Sequence, residues 1–202
     1  MKDAFVSKSV GWDSPDKINM TNKFVAELFS LVNPLPTWKT LEIGAGTGLV
    51  GLQIEPFVRK VVMEDVSKSM LGVLTKKLNE NNSNKVEILH GEVFDYTKQD
   101  IDFVFSCMAF HHIPDIESTL NHLYLITNSG AWVAVGDLEV EDGSFHQFEP
   151  TPHNGFDTKA LSKQFAQAGF EVKQVKRYNI LARTVDSITR NYNQFILIAK
   201  RK

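Results

Sequence analysis

The chain has 202 residues, 43% of them apolar and 23% charged, with 22 Lys and Arg set against 24 Asp and Glu. These proportions predict one globular domain over residues 1–202 and exclude disorder, a collagen-like repeat and a disulfide scaffold. The net charge is −2 and the basic clusters at Lys173–Arg177 and Lys200–Lys202 are short, so no basic stripe forms and a nucleic-acid partner is not expected.

No apolar stretch accompanies the polar start at Met1-Lys2-Asp3 and Ser7-Lys8-Ser9, so no secretory leader is expected. Ser14-Pro15 reads as a helix start, with Ser as N-cap and Pro at the first helical position. From there Ile18, Val25, Leu28, Phe29 and Val32 share one face at helical spacing. Asn33-Pro34-Leu35-Pro36 stops that helix, and residues 1–35 are predicted to form a helical lid. Thr40–Ile43 is the first buried strand and runs into Gly44-Ala45-Gly46-Thr47-Gly48. Lys60–Glu64 is the second; Ser67 then caps a helix with Met70, Leu71, Leu74 and Leu78 on its apolar face. Val86–Leu89 and Ile101–Ser106 are the third and fourth strands.

Cys107, the single cysteine, has no partner for an internal disulfide and points to a reducing cytoplasm. Asp115 opens a helix with Ile116, Leu120, Leu123 and Tyr124 inward, closed by Asn128-Ser129-Gly130 ahead of a fifth strand at Ala131–Val135. Gly136–Phe156 has no clean period, and a loop of that length in a compact domain is more often functional than idle. A helix over Asp157–Ala168 and strands at about Phe170–Tyr178 and Phe195–Lys200 finish the chain. Apolar runs such as Phe195–Ala199 fall far short of the ~20 residues of a membrane span, so no membrane partner is expected. Strands alternating with helices predict an α/β domain of seven strands and about five helices.

Chemistry enters at Leu41-Glu42-Ile43-Gly44-Ala45-Gly46-Thr47-Gly48. Glycine there permits positive φ and close approach of backbone N–H groups to a ligand, and the crevice beyond the strand ends is where open parallel sheets bind ligands. About twenty residues on, Glu64 and Asp65 end the second strand, where a carboxylate can accept from both hydroxyls of a ribose. Together they imply an adenosine-containing cofactor. Two frames compete. Gly46-Thr47-Gly48-Leu49-Val50-Gly51 fits the dinucleotide pattern G-x-G-x-x-G but lies two residues deeper, toward the expected helix. The frame from Gly44 follows the strand directly and has Leu49 in sixth place. A nicotinamide-dependent oxidoreductase is therefore one reading, although the later strands show no place for a second nucleotide half. A P-loop is excluded, because no Gly-Lys-Ser/Thr follows the glycines.

Glu42-x-Gly44-x-Gly46-x-Gly48 is similar to the first motif of class I S-adenosylmethionine-dependent methyltransferases of the small single-domain kind. Asp65-Val66-Ser67 with Met70-Leu71 resembles their second motif, and Gly91-Glu92-Val93 their adenine-side segment. Phe103–Ser106 leading to His111-His112-Ile113-Pro114-Asp115 resembles their fourth-strand signature. Asn128-Ser129-Gly130 stands where many members carry Pro-Gly-Gly. Asp137–His146, His153-Asn154-Gly155-Phe156 and Gly11-Trp12-Asp13 resemble a subgroup of small members. The likeness runs in order over about residues 10–200. It implies a Rossmann-like, doubly wound seven-stranded sheet, mostly parallel with the last strand antiparallel. It also implies S-adenosylmethionine as cofactor and S-adenosylhomocysteine as product. On that resemblance Glu42 helps hold the methionyl amino end, and Gly44, Ala45 and Gly46 allow close backbone approach. Asp65 binds the ribose diol, Val66 and Met70 pack near the adenine, and Glu92 with Val93 meets the adenine amino side. Cys107 and Met108 line the methyl-transfer side.

Cys107 is expected to be a structural thiol, since Ser106 rather than proline precedes it. The fourth strand also lacks the Asn/Asp-Pro-Pro-Tyr/Phe pattern of amino-group methylation. His90, His111 and His122 read as packing or surface residues. His111, His112, His146, His153 and Glu139 are a conceivable metal cluster, but adjacent histidines do not easily share one ion and no metal is expected. His112, His146 and His153 are the candidate general bases, His146 foremost, and residues 136–156 the expected acceptor-site loop. Small size and near-neutral charge favour a small-molecule acceptor. A non-catalytic module that only binds the cofactor is the main alternative.

Overall fold

A computed structural model describes residues 6–147 and 150–202. The first five residues of the expected lid, and Phe148 and Glu149 of the expected loop, lie outside the described residues. After a single turn, α1 (Val6–Ser9), the long helix α2 (Pro15–Leu31) begins at Ser14, whose side chain accepts from the Lys17 N–H at 3.4 Å. The same device starts three more helices. Ser67 caps α4 (Lys68–Glu80), Asp115 caps α5 (Ile116–Ile126) and Asp157 caps α6 (Thr158–Gln167). Each satisfies N–H groups that the first turn leaves unbonded, at about 1 kcal/mol per cap.

The seven strands are β1 (Lys39–Ile43), β2 (Lys60–Asp65), β3 (Val86–His90), β4 (Ile101–Cys107), β5 (Thr127–Leu138), β6 (Phe170–Val185) and β7 (Ile188–Arg201). They form one sheet in the order β3-β2-β1-β4-β5-β7-β6. β1 to β5 pair in parallel, while β7 runs antiparallel between β5 and β6. This is the doubly wound arrangement with an antiparallel last strand that the sequence resemblance implies.

Side-chain alternation along the central strands feeds two cores. Leu41, Ile43, Val104, Val133 and Leu197 pack under α5 and α6, whereas Val61, Met63, Phe103, Phe105 and Ile196 pack under α2 and α4. Strand order reverses between β1 and β4, which opens the crevice at their carboxyl ends.

Several expected boundaries move. α2 buries Thr21, Phe24, Val25 and Leu28, while Ile18 is 40% exposed, so the inward face is rotated from the apolar count. The helix after the glycine turn shrinks to α3 (Gly51–Ile54) and a 3-10 turn over Glu55–Phe57 that contains Pro56. Asn128-Ser129-Gly130 does not precede β5 but bulges inside it: Ile101 pairs with Thr127 and Phe103 with Trp132. β5 continues to Leu138, so the loop proper starts at Glu139. The final hairpin is longer than its apolar runs because β6 and β7 stay paired as far as Val185 and Ile188.

Candidate active site

The three glycines after β1 all have positive φ: 69° at Gly44, 56° at Gly46 and 84° at Gly48. None lies in a helix, which removes the objection of helix depth from the frame starting at Gly46. A Cβ on Gly44 would lie 2.3 Å from that of Ala109, so glycine is what lets the β1 and β4 loops meet at the switch point. Beyond them lies a cavity of ≈ 920 Å³, lined by groups from both ends of the chain.

Its floor is acidic. Asp65 accepts from the Gly46 and Ser67 N–H groups, each at 2.7 Å. Glu64 accepts more loosely from Gly44 N at 3.4 Å. Glu42, Glu64 and Asp65 are all buried. Burial, then the neighbouring Asp65 charge, pushes Glu64 up to about 8. The same two causes hold Glu42 well above the usual carboxylate range, and one of its oxygens, Oε2, is buried without a hydrogen-bond partner. A floor of this kind suits a ligand that brings positive charge and N–H donors. Val66, more than half exposed, and buried Met70 and Val93 line the cavity on the β2–β3 side, with exposed Glu92 at the edge. The Glu92 backbone N–H donates to Asp95 at 2.9 Å.

The opposite wall is built from histidines. Cys107 ends β4 and Met108 follows it; Met108 has φ 57° and donates its N–H to Gly136 O at 2.8 Å. Burial raises the Cys107 thiol well above its usual range, which fits the structural role expected of it. His111, expected as packing, is the centre of a network. Its Nδ1 is 2.6 Å from Asp137 Oδ1, and its Nε2 is 3.0 Å from Nε2 of His146. Asp137 is fully buried at the end of β5 and also accepts the N–H groups of His111 at 3.1 Å and Leu138 at 2.7 Å. The loop carries His146 inward because Glu141 accepts the Phe145 N–H and Ser144 bonds Tyr192 Oη at 2.7 Å.

Exposed His112 stacks on His111 with centroids 4.2 Å apart. The ligand atoms of His111, His112 and His146 lie within 4.8 Å of one another. The two remaining members of the conceivable five-residue cluster do not join them. His153 Nε2 lies 3.0 Å from Ile113 O while its ring packs on Phe156, and Glu139 pairs with Arg177 at 2.5 Å. His153 is not among the described residues that line the cavity.

The N-terminal segment closes the cavity from above. Trp12 Nε1 is 3.9 Å from the position of a Cβ on Gly46. Asp13 accepts from Thr47 Oγ1 at 2.5 Å and pairs with Lys77 Nζ at 2.6 Å. Lys17 lies over the Trp12 ring, 2.9 Å from its centroid.

A family model described as a methyltransferase domain matches residues 41–133. That stretch holds the glycine turn, the acidic end of β2 and the β4 signature. The matched stretch is a methyltransferase domain of the class I S-adenosylmethionine-dependent kind. The chain is 25% identical over 153 residues to an uncharacterised methyltransferase of Schizosaccharomyces pombe, covering 67% of this chain and 54% of the relative. It is 29% identical over 103 residues to phosphoethanolamine N-methyltransferase 2 of Caenorhabditis elegans, covering 50% and 24%. It thus spans about half the length of the first of these relatives and about a quarter of the second. A solved S-adenosylmethionine-dependent methyltransferase from Aquifex aeolicus shares its fold, with TM-score 0.75, 20% identity, and 97% and 98% of the two chains covered.

Sequence reasoning placed the residues of the cavity floor together and missed much of its wall. Asp137 follows a buried strand directly, which was the available signal. Nothing local marks His111 over His112, or brings Lys17 and Arg183 to the same cavity.

Proposed function

We propose that this chain transfers a methyl group from S-adenosylmethionine to a small-molecule acceptor in the cytoplasm, as one domain over residues 1–202. The observation that carries the reading is the partnerless buried oxygen of Glu42 beside Glu64 and Asp65 at the switch point. The lone Cys107 supports a reducing compartment. Among the described residues no helix is long and apolar enough to cross a membrane. The C. elegans relative is named for a small metabolite, in keeping with a small acceptor.

When bound, S-adenosylmethionine supplies a methyl group on a sulfonium, which an in-line nucleophile displaces to leave S-adenosylhomocysteine. Glu42 faces the methionyl amino end, Gly44, Ala45 and Gly46 let the backbone approach, and Asp65 takes the ribose diol. Val66, Met70, Glu92 and Val93 border the adenine, and Cys107 and Met108 flank the methyl-transfer side. Residues 6–35, with Trp12, form the lid, and the end of β5 with the loop that follows it forms the acceptor side. Positioning of this kind supplies ~7–11 kcal/mol of a displacement barrier.

His146 serves as the base, without a metal. Two backbone N–H groups already donate to the Asp137 oxygens, so His111 Nδ1 donates as well, leaving the lone pair of a neutral His111 on Nε2. His146 Nε2–H then donates to it, and the basic lone pair of His146 is on Nδ1. A proton taken there leaves the His146 Nε2–H bond in place and is stabilised by Asp137 through His111. Exposed His112 borders this network, and His153 supports the loop through its bond to Ile113 O.

Calorimetry with S-adenosylhomocysteine and with NAD tests the cofactor, and a labelled methyl donor offered with a metabolite panel tests transfer. Binding of the homocysteine but not of NAD, with one labelled product, is the expected result. Preference for NAD would reverse the reading. Binding without any methylated product would reduce the chain to a cofactor-binding module.

A further inference from the structure

Three imidazoles converge on the cavity wall. The ligand atoms of His111, His112 and His146 lie within 4.8 Å of one another, and all three residues line the cavity, which gives an ion a way in. The rings sit close in every pairing, with centroids 4.2 Å apart for His111 and His112, 4.8 Å for His111 and His146, and 5.3 Å for His112 and His146. Neighbouring residues of a strand point to opposite faces. The 3-10 turn over Phe110–His112 instead brings the adjacent rings together.

The surroundings hold these rings in place. His111 gives Nδ1 to buried Asp137 at 2.6 Å, the pairing of carboxylate and histidine that aims the other ring nitrogen at an ion. The charge of Asp137 then lies one ring away from the cation. His146 is fixed from behind, because Phe145 packs edge-on against it at 4.9 Å. Arg183 in turn donates to Phe145 O and stacks on the Phe145 ring at 4.9 Å. Nε2 of His111 and Nε2 of His146 are 3.0 Å apart, with one proton between them. Zn–N bonds of about 2.0–2.1 Å set tetrahedral ligand atoms about 3.4 Å apart. The pair opens only slightly when an ion replaces that proton, and exposed His112 turns inward as the third ligand. Ligation by imidazole alone suits Zn²⁺ and its neighbours, whereas Mg²⁺ and Ca²⁺ require oxygen.

We propose that His111, His112 and His146 form a site for a divalent transition-metal ion, Zn²⁺ foremost, and that filling it switches the base off. The ion takes the Nε2 lone pair of His146. The ring proton therefore moves from Nε2 to Nδ1, the atom that otherwise receives a proton from the methyl acceptor. The imidazole stays neutral, and water leaves the ion as the nitrogens bind. The metal-free chain is the active form and the loaded chain the silent one. The site stands on the histidines alone; its inhibitory effect rests on the methyltransferase reading with His146 as base.

The test uses the full chain, stripped of metal by a chelator and titrated calorimetrically with ZnCl₂ and, separately, with MgCl₂. One Zn²⁺ should bind per chain, and Mg²⁺ should not bind at the same concentrations. His112→Asn and His146→Asn, checked for fold by circular dichroism, should each weaken Zn²⁺ by more than about 100-fold. Asp137→Asn should weaken it by about 10- to 100-fold, and His90→Asn should leave it unchanged. Nitrogen-15 spectra should show the His146 proton on Nε2 without metal and on Nδ1 with it. Methyl transfer should stop as the site fills and return on chelation. Absence of Zn²⁺ binding, Zn²⁺ affinity indifferent to His112→Asn and His146→Asn, or a filled site with Nε2–H retained on His146 each overturns the inference and leaves the cofactor reading intact. That reading falls separately, if the unmodified chain does not bind S-adenosylhomocysteine.

Discussion

The floor of the cavity draws Glu42, Gly44, Gly46, Glu64 and Asp65 from two neighbouring strands and the turn between them. Its wall takes Lys17, His111, Asp137, His146 and Arg183 from five separate segments. On the floor, backbone N–H groups of the turn fix the carboxylates, so fold and site are one object. On the wall, side chains hold one another: Asp137 orients His111, His111 orients His146, and Phe145 seats Arg183. A fault in the floor should therefore appear as lost cofactor affinity, and a fault in the wall as lost turnover.

The sharpest test of that division is His146→Asn. It should cut turnover by roughly 10²–10⁴-fold and leave calorimetric affinity for S-adenosylhomocysteine nearly unchanged. Activity of the unmodified chain should also survive exhaustive chelation. Restoration of chelated enzyme by one divalent ion would turn the His111, His112 and His146 cluster into a metal centre instead. Asp137→Asn should give a smaller loss in the same direction, because it acts through His111.

Gly46→Val is the corresponding test of the floor. At φ 56° a β-branched side chain is strained by about 1–2 kcal/mol, and its Cβ points into the space beneath Trp12. Cofactor affinity should fall by more than about 100-fold, or ~2.7 kcal/mol, with the circular dichroism of the fold retained. Normal binding by this variant would remove the turn as cofactor cradle.

Asp65→Ala should cost ~1.5–3 kcal/mol, roughly 10- to 100-fold in affinity, and Glu64→Ala clearly less. Asp65 lies on the register of Ser67 and Met70 and grips the turn at 2.7 Å, whereas Glu64 contacts it at 3.4 Å. Equal small losses in the two variants would erase the distinction.

A finer effect comes from the raised proton affinity of Glu64. The folded protein holds a proton there between 4.5 and about 8, where the unfolded chain has released it. The stability it contributes is complete below 4.5 and lost as pH rises through about 8. Asp65, Glu92 and Asp95 face Glu64 and push in the same direction, and only Gly44 N opposes them. The melting temperature of the ligand-free protein should therefore fall over this window, and Glu64→Gln should flatten the decline. A cationic ligand favours the carboxylate, so binding near pH 7 should release protons, read as calorimetric heats that differ between buffers of unequal ionisation enthalpy.

The same contrast explains what the sequence made legible. Ser14-Pro15, Ser67, Asp115 and Asp157 announced four helices because a cap acts within one turn. Thr40–Ile43 and its glycines announced the floor because a strand and a turn with positive φ are local too. Asn128-Ser129-Gly130 carried a turn signal and did form an irregularity, yet pairing with β4 on both sides placed it inside a strand. His111 and His112 are adjacent and alike in type. Only the 3-10 turn over Phe110–His112 buries one and exposes the other. Arg183 stood beyond the expected end of β6, where pairing with β7 rather than apolar composition extends the strand.

The clasp formed by Asp13 bears on time as well as on affinity. It fastens the segment over the cavity to Thr47 on one side and Lys77 on the other, so on the proposed reading a cofactor product beneath it would depart once that fastening opens. Dwell time is then governed in part by an ion pair that salt screens, independently of the ribose and adenine contacts. In stopped-flow displacement, S-adenosylhomocysteine should leave faster as ionic strength rises. Asp13→Asn should leave faster at every salt concentration and lose most of that dependence.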